Sequence, residues 1–527
     1  MSFDLLLKEC KVFDGTGNPW YWADIGIKGG SIAAIAPPNA LSGAGRTLNL
    51  EGRAVAPGFI DPHSHSDFSF LVDRGARSKL RQGVTTELVG NCGVSAVPLH
   101  EDLGFLKELF EQVDRPNWEG FAQFFDRLEG EGLPLNLASL VGHGSLRAEA
   151  MGFAERPPTR EESERMKENL ARGMEEGALG LSTGLYYAPG SYAETEEVIE
   201  LARVAARYGG IYATHIRNEG KELAKAVKEA IEIGRQAELP VQISHHKAVG
   251  KENWGKVEET LELIEQARAE GIDVTCDQYP YRASSTTLSS LLPRWVHEGG
   301  KEKLLGRLRD EGIRQEIEEE LGETKEMKID WSQVVLAEGL EEKLLGKTVA
   351  EVAEERGKRP GPTALDIISE KGLEGEVKQV TFEISEEDIE KVMRAPFVMV
   401  SSDGSSLNPE GPLGKGKPHP RNYGAFPRVL GEYVREKGVL SLEEGIRKMT
   451  SLTANRLGLA KKGLVKIGLD ADLVVFSPAK VTDRATFAEP AQFPKGISHV
   501  VVGGAVAVED GETRDLSGGR VLRGRFS

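Results

Sequence analysis

His63 and His65 close the stretch Gly58-Phe-Ile-Asp-Pro-His-Ser-His65, just past the apolar run Ala54 to Ile60. Side chains two apart on a strand share a face, so both imidazoles reach one point and offer two nitrogens to one metal. Cys92 follows a second apolar run, in Glu87-Leu-Val-Gly-Asn-Cys92-Gly, where the backbone turns and a thiolate is a strong zinc ligand. His215 ends Tyr212-Ala-Thr-His215, His245 ends Gln242-Ile-Ser-His245, and Asp403 ends Val400-Ser-Ser-Asp403-Gly404. Singly, these residues have blander roles: a buried thiol, a hydrogen-bonded structural histidine, a helix cap. Together they end five separate strand-like runs, in a chain with only 10 histidines. Such a cluster points to metal-assisted hydrolysis, in which the metal lowers the pKa of water. Asp403 is then the natural acceptor for the proton of that water.

Convergence of these residues requires elements that bring strand ends together. From about 57 to 450 short apolar strands alternate with charged, helix-periodic stretches such as 160–176 and 254–270. Eight strands are predicted, at 57–61, 84–90, 135–141, 178–183, 210–214, 241–244, 272–277 and 396–401. This alternation is the texture of an α/β fold, a parallel (β/α)8 TIM-like barrel, whose chemistry sits at the carboxyl ends of the strands. Residues 1–56 and the end of the chain read differently, as short strands between turn residues. They predict one small β-sandwich built from both termini, with 451–527 supplying a final helix and the second half. Residues from about 286 to 348, rich in Lys, Glu and Leu, interrupt the barrel as an inserted lid.

Composition bounds the function. The 527 residues carry 66 basic and 83 acidic side chains, a net charge of −17, which argues against nucleic acid or an anionic membrane as partner. No apolar run is long enough to span a bilayer, and Met1-Ser-Phe-Asp-Leu-Leu-Leu-Lys lacks the pattern of a signal peptide. The three cysteines, Cys10, Cys92 and Cys276, are too scattered for a disulfide framework, so a cytoplasmic location is expected.

Several longer motifs carry a resemblance: Gly58 to Asp67, Gly90-Asn-Cys-Gly93, Gly180-Leu-Ser-Thr-Gly-Leu-Tyr186, Ile243-Ser-His-His-Lys247, Asp277-Gln-Tyr-Pro-Tyr281, Ser402-Asp-Gly404 and His419-Pro-Arg421. Over nearly its whole length the chain resembles the metal-dependent amidohydrolase superfamily, and within it the N-acyl-D-amino-acid deacylases, or D-aminoacylases. That resemblance implies a distorted barrel with a small β-sandwich, and hydrolysis of the amide bond of N-acyl-D-amino acids. It implies that His63, His65 and Asp403 form one metal position. Cys92, His215 and His245 form a second, tightly held zinc position, with the thiolate able to bridge both and Asp403 as proton shuttle. Many relatives bridge two metals with a carboxylated lysine from the fourth strand, but Ala178-Leu-Gly-Leu-Ser-Thr-Gly-Leu-Tyr-Tyr187 has no lysine.

An N-acyl amino acid presents a free α-carboxylate, which calls for fixed positive charge and hydroxyls. Lys247, two residues past His245, faces the same cavity, and Arg421 lies in a loop stiffened by Pro418 and Pro420. By resemblance, Lys247, Arg421 and Tyr279 hold the carboxylate, with Tyr281 an alternative to Tyr279 and Ser285 a further candidate. Tyr186 and Tyr187 are candidates for an acyl or side-chain pocket. His143 has no ligand role, and His246 should point away from the metal. A small-molecule substrate is the expected partner. The competing readings are a hydrolase of cyclic amides, or of dipeptides with a C-terminal D-residue.

Overall fold

The computed structural model describes residues 2–99, 118–323, 329–514 and 518–524. All eight predicted barrel strands are present. Three of them form one parallel sheet, β6 (Phe59–Asp61), β7 (Val84–Val89) and β8 (Asn136–Ser139). The chain steps at Leu140 into β9 (Val141–Gly142), which opens a second parallel sheet. That sheet continues through β10 (Gly180–Gly184), β11 (Ile211–His215), β12 (Val241–Ile243), β13 (Val274–Gln278) and β17 (Val398–Val400). Every residue of these strands is buried, so none shows the in-and-out alternation of a strand with one face in water.

The ring closes beyond the strands themselves. Ser64 bridges Gly404 in parallel, the Asp403 N–H donates to the His63 carbonyl at 2.9 Å, and the His65 N–H donates to the Gly404 carbonyl at 3.0 Å. The last barrel seam is thus made by site residues. Helices between the strands bury one stripe each. In Arg160–Glu175, for example, Met166, Leu170 and Met174 face the core, and Thr159 and Glu162 form a capping box at its start.

Strands from the two ends of the chain share one sheet. The N-terminal members are β1 (Phe3–Val12), β2 (Tyr21–Lys28), β3 (Ser31–Ala36), β4 (Ala44–Asn49) and β5 (Ala54–Pro57). The C-terminal members are β18 (Leu473–Phe476), β19 (Ile497–Val502), β20 (Ala505–Glu509) and β21 (Glu512–Thr513). β5 pairs with β18, Val55 opposite Val475, and joins the two halves. The sheet folds over its own apolar face, enclosing Leu5, Leu7, Ile25, Ile27, Val475 and Val501. Because β5 runs almost directly into β6, this sheet anchors the strand that carries His63 and His65.

The insertion expected at 286–348 lies within a larger unit, with 324–328 outside the described residues. It starts at β14 (Ala283–Thr287) and ends at β16 (Lys378–Phe382), which pairs antiparallel with both β14 and β15 (Val334–Glu338). Four helices complete it around its own core of Leu288, Leu304, Leu336, Val352 and Leu365. No helix among the described residues is long and apolar enough to cross a membrane.

Candidate metal centre

Cys92 Sγ sits at the middle of the barrel mouth, 3.2 Å from His63 Nε2, 3.6 Å from His245 Nε2 and 3.8 Å from His215 Nδ1. Asp403 Oδ1 lies 3.0 Å from His65 Nε2 and 3.5 Å from His63 Nε2. All six residues expected to bind metal therefore meet. They fall into three overlapping groups: His63, His65 and Cys92; Cys92, His215 and His245; His63, His245 and Asp403. Within each, the ligand atoms lie within 4.8 Å of one another. One thiolate and two imidazoles are a donor set that zinc favours, and they leave a coordination position open.

The backbone works to produce this convergence. Cys92, His245 and Asp403 all adopt left-handed conformations, with φ of 52°, 36° and 49°. Such strain in non-glycine residues is concentrated at functional sites. Two glycines make room for the cysteine loop. A Cβ at Gly184 would lie 2.2 Å from the Cys92 carbonyl oxygen, and one at Gly93 would lie 2.7 Å from the Gly184 nitrogen. That close approach accounts for the glycines of both motifs.

Electrostatics favour the anionic forms of the central groups. Burial alone would push the Cys92 thiol up, but the charge of His63 and hydrogen bonds with His215, His245 and His63 hold it well below the usual thiol range. Asp403 is likewise buried, yet Arg421, His245 and His63 hold its carboxyl well below the usual carboxylate range. The Arg421 guanidinium lies 2.7 Å from Asp403 Oδ2.

Carboxylates behind the ligands orient them, as is usual for metal-binding histidines. Asp277 Oδ1 is 3.4 Å from His63 Nδ1 and accepts the backbone N–H of His245 at 3.0 Å. Glu219 Oε1 is 3.0 Å from His245 Nδ1 and accepts from Lys247 Nζ at 2.6 Å. Sequence reading gave neither residue a role. The available signals were a carboxylate within a predicted barrel strand, for Asp277, and the four-residue spacing from His215, for Glu219.

Lys79 was missed altogether. It is fully buried beneath the centre and donates to Asp61 Oδ2 at 2.8 Å, Ser402 Oγ at 2.7 Å and the Gly404 carbonyl at 3.2 Å, with Glu87 Oε1 at 2.9 Å. It ties the loop of Asp403 to the strand of His63 and His65. Lys79→Met leaves two buried carboxylates without their cation, at a cost of about 3–5 kcal/mol. The expected result is a large fall in the midpoint of thermal unfolding, measured against wild type at equal zinc. A midpoint within about 1 °C of wild type would show that the buried network contributes nothing to the closure of the barrel.

The residues expected around the substrate fall into place unequally. Tyr279 is buried with its hydroxyl unpartnered, and Arg421 and Lys247 lie over its ring, 5.0 and 5.6 Å from the centroid. Tyr281 instead stacks with Arg428 and points its hydroxyl toward the Pro420 carbonyl, away from the centre. Ser285 meets Arg421 through its backbone carbonyl, at 3.2 Å from Nη2. Tyr186 stacks on His215, ring centroids 5.5 Å apart, and Tyr187 packs edge-on against the same imidazole. His143 pairs with Glu197 at 2.8 Å, and His246 turns outward to Thr260 at 2.9 Å. Tyr186, Tyr187, Lys247, Tyr279, Ser285 and Arg421 line a cavity of about 2900 Å³ roofed by the inserted unit.

Comparison with known proteins bears on this arrangement. Residues 46–508 match the Amidohydrolase family. The chain is 38% identical over 521 residues to a D-aminoacylase of Alcaligenes xylosoxydans xylosoxydans, covering 99% of this chain and 97% of that one. It is 37% identical over 522 residues to an N-acyl-D-glutamate deacylase of the same organism, with the same coverage. An N-acyl-D-glutamate deacylase from Bordetella bronchiseptica, solved with zinc and a phosphonate mimic of the tetrahedral intermediate, superposes with a TM-score of 0.85. It is 34% identical and covers 99% of this chain and 100% of its own.

Proposed function

The chain belongs to the amidohydrolase family, in its D-aminoacylase branch, and from that premise we propose which residues hydrolyse the amide bond of N-acyl-D-amino acids. The reaction releases a carboxylate and a free D-amino acid. Cys92, His215 and His245 would hold the tightly bound zinc, and His63, His65 and Asp403, beside the same cysteine, would offer a second position. Zinc held there supplies Lewis acidity, which makes hydroxide available near neutral pH and polarises the scissile carbonyl.

The observation that carries this reading is the buried, unpartnered hydroxyl of Tyr279, whose ring lies against both Arg421 and Lys247. A buried polar group without a partner is costly and calls for a ligand. Two cations and a phenol donor around one point suit a carboxylate. Arg421 also touches Asp403. In an amino acid the amide nitrogen is two bonds from the carboxyl carbon. A carboxylate held by Arg421 therefore brings that nitrogen beside Asp403, the group that takes the proton of water and returns it to the leaving amine. Cyclic amides of the hydantoin type, which carry no carboxylate, would leave the Tyr279, Arg421 and Lys247 group without one to bind.

The test separates recognition from chemistry. A charge-assisted contact to the α-carboxylate contributes roughly 1.5–3 kcal/mol, so Arg421→Met should lower kcat/KM on N-acyl-D-amino acids at least about tenfold. On the matching amino-acid amides, which lack the carboxylate, the loss should be much smaller. Equal losses on both substrates would remove Arg421 from the clamp, and with it the physical reason for preferring a linear N-acyl amino acid.

A further inference from the structure

We infer that the substrate carries a single carboxylate: the enzyme acts on N-acyl-D-amino acids with uncharged side chains and discriminates against those of D-glutamate and D-aspartate. This rests on the deacylase reading and narrows it. Overall similarity does not decide the point, since the D-aminoacylase and the N-acyl-D-glutamate deacylase relatives are 38% and 37% identical to the chain.

The distribution of charge in the cavity decides it. Among the described residues, the two cations of the centre are Lys247, paired with Glu219 at 2.6 Å, and Arg421, paired with Asp403 at 2.7 Å. Both are needed for the α-carboxylate. Further out, Arg217 pairs with Glu229, Arg294 with Glu155, Lys301 with Glu376 and Lys378 with Glu338. Rim lysines such as Lys251 and Lys415 are exposed to water, where their charge is screened. Lys247 and Arg421 both go to the α-carboxylate, so among the described residues a second substrate carboxylate finds no third cation at the centre.

Among the described residues, the inner face of the β14–β16 pair carries no cation to add to Lys247 and Arg421. In the β14–β16 pair, Ser284 lies opposite Thr381 and Thr286 opposite Gln379, so these four side chains share a face. Thr286 donates to the Tyr187 hydroxyl at 3.0 Å, and Tyr187 packs on His215, so that face looks into the centre. It presents three hydroxyls and an amide. The nearest charged neighbour on it is Glu383, which accepts from Ser284 and whose carboxyl burial pushes up to about 7. Asp67 adds another carboxyl on the opposite side, beside the His65 strand end. Tyr186, Tyr187 and Leu185 complete the lining with apolar and aromatic surface. Neutral side chains, polar or apolar, find partners here. An anionic one meets hydroxyls, an amide and aromatic surface there, and no cation to replace the water it loses.

Isosteric pairs isolate the charge. With the zinc-loaded full chain, kcat/KM for N-acetyl-D-glutamine should exceed that for N-acetyl-D-glutamate by about 100-fold or more, and N-acetyl-D-asparagine should exceed N-acetyl-D-aspartate similarly. N-acetyl-D-methionine should be hydrolysed readily, and its L-enantiomer serves as comparator. A ratio below about ten in either pair, or a preference for the acid, would overturn the inference while leaving the deacylase reading intact. Failure to hydrolyse any of the D-substrates would instead overturn the deacylase reading itself.

Discussion

Cys92→Ala should bind little zinc and lose nearly all activity. The sulfur belongs to two of the three ligand groups and lies against His63, His215 and His245 at once. Without it the pocket keeps imidazoles but loses the anion that balances them, and zinc sites depend on such charged sulfur donors. Alanine has the same backbone preferences as cysteine for practical purposes, so the left-handed turn at position 92 is no more strained in the variant. The loss can then be assigned to the thiolate. Metal content by elemental analysis and hydrolysis of N-acetyl-D-methionine should fall together, turnover by about two orders of magnitude or more. Cys10→Ala is the control. That thiol is buried in the terminal sheet, where burial and Asp24 push it up to about 12, and the variant should keep its zinc. Full zinc and wild-type turnover in Cys92→Ala would show that the bridging-thiolate assignment is mistaken.

The convergence of the six candidate ligands was legible in the sequence because a parallel barrel translates position along a strand into position in space. His63, Cys92, His215, His245 and Asp403 each end an apolar run, and the ends of parallel strands meet. The residues that hold those ligands in place were not legible, for a related reason. Asp277, Glu219 and Lys79 act across the barrel rather than along a strand, and Lys79 reaches residues more than 300 positions away. In a chain with 83 acidic residues a single carboxylate has no signature until its partner is known. The choice between Tyr279 and Tyr281, left open by the sequence, follows from their surroundings: one hydroxyl is buried without a partner near Arg421, the other turns to Pro420. The extent of the insertion was hidden similarly. Its helices have visible periodicity, but β16 earns its place only by pairing with β14, some ninety residues earlier.

Asp403→Asn should lower kcat by two or more orders of magnitude while leaving KM within a few-fold of wild type. Asparagine has the size and shape of aspartate and tolerates the left-handed backbone, here with φ of 49°, better than most residues. It can still hydrogen-bond to His65, and its backbone N–H still donates to the His63 carbonyl, so the loop that closes the barrel seam should persist. What it cannot do is take a proton from water and return it to the leaving amine, and an amide anion does not depart unprotonated. Recognition should survive, because Arg421, freed of its carboxylate neighbour, remains available to the carboxylate of the substrate. A zinc count on the same sample separates this loss from a loss of metal at the His63 and His65 position. A fall of only a few-fold with zinc retained would move the proton-transfer role to another group. A rise in KM that accounted for the whole effect would make Asp403 a binding residue instead of the shuttle between water and amine.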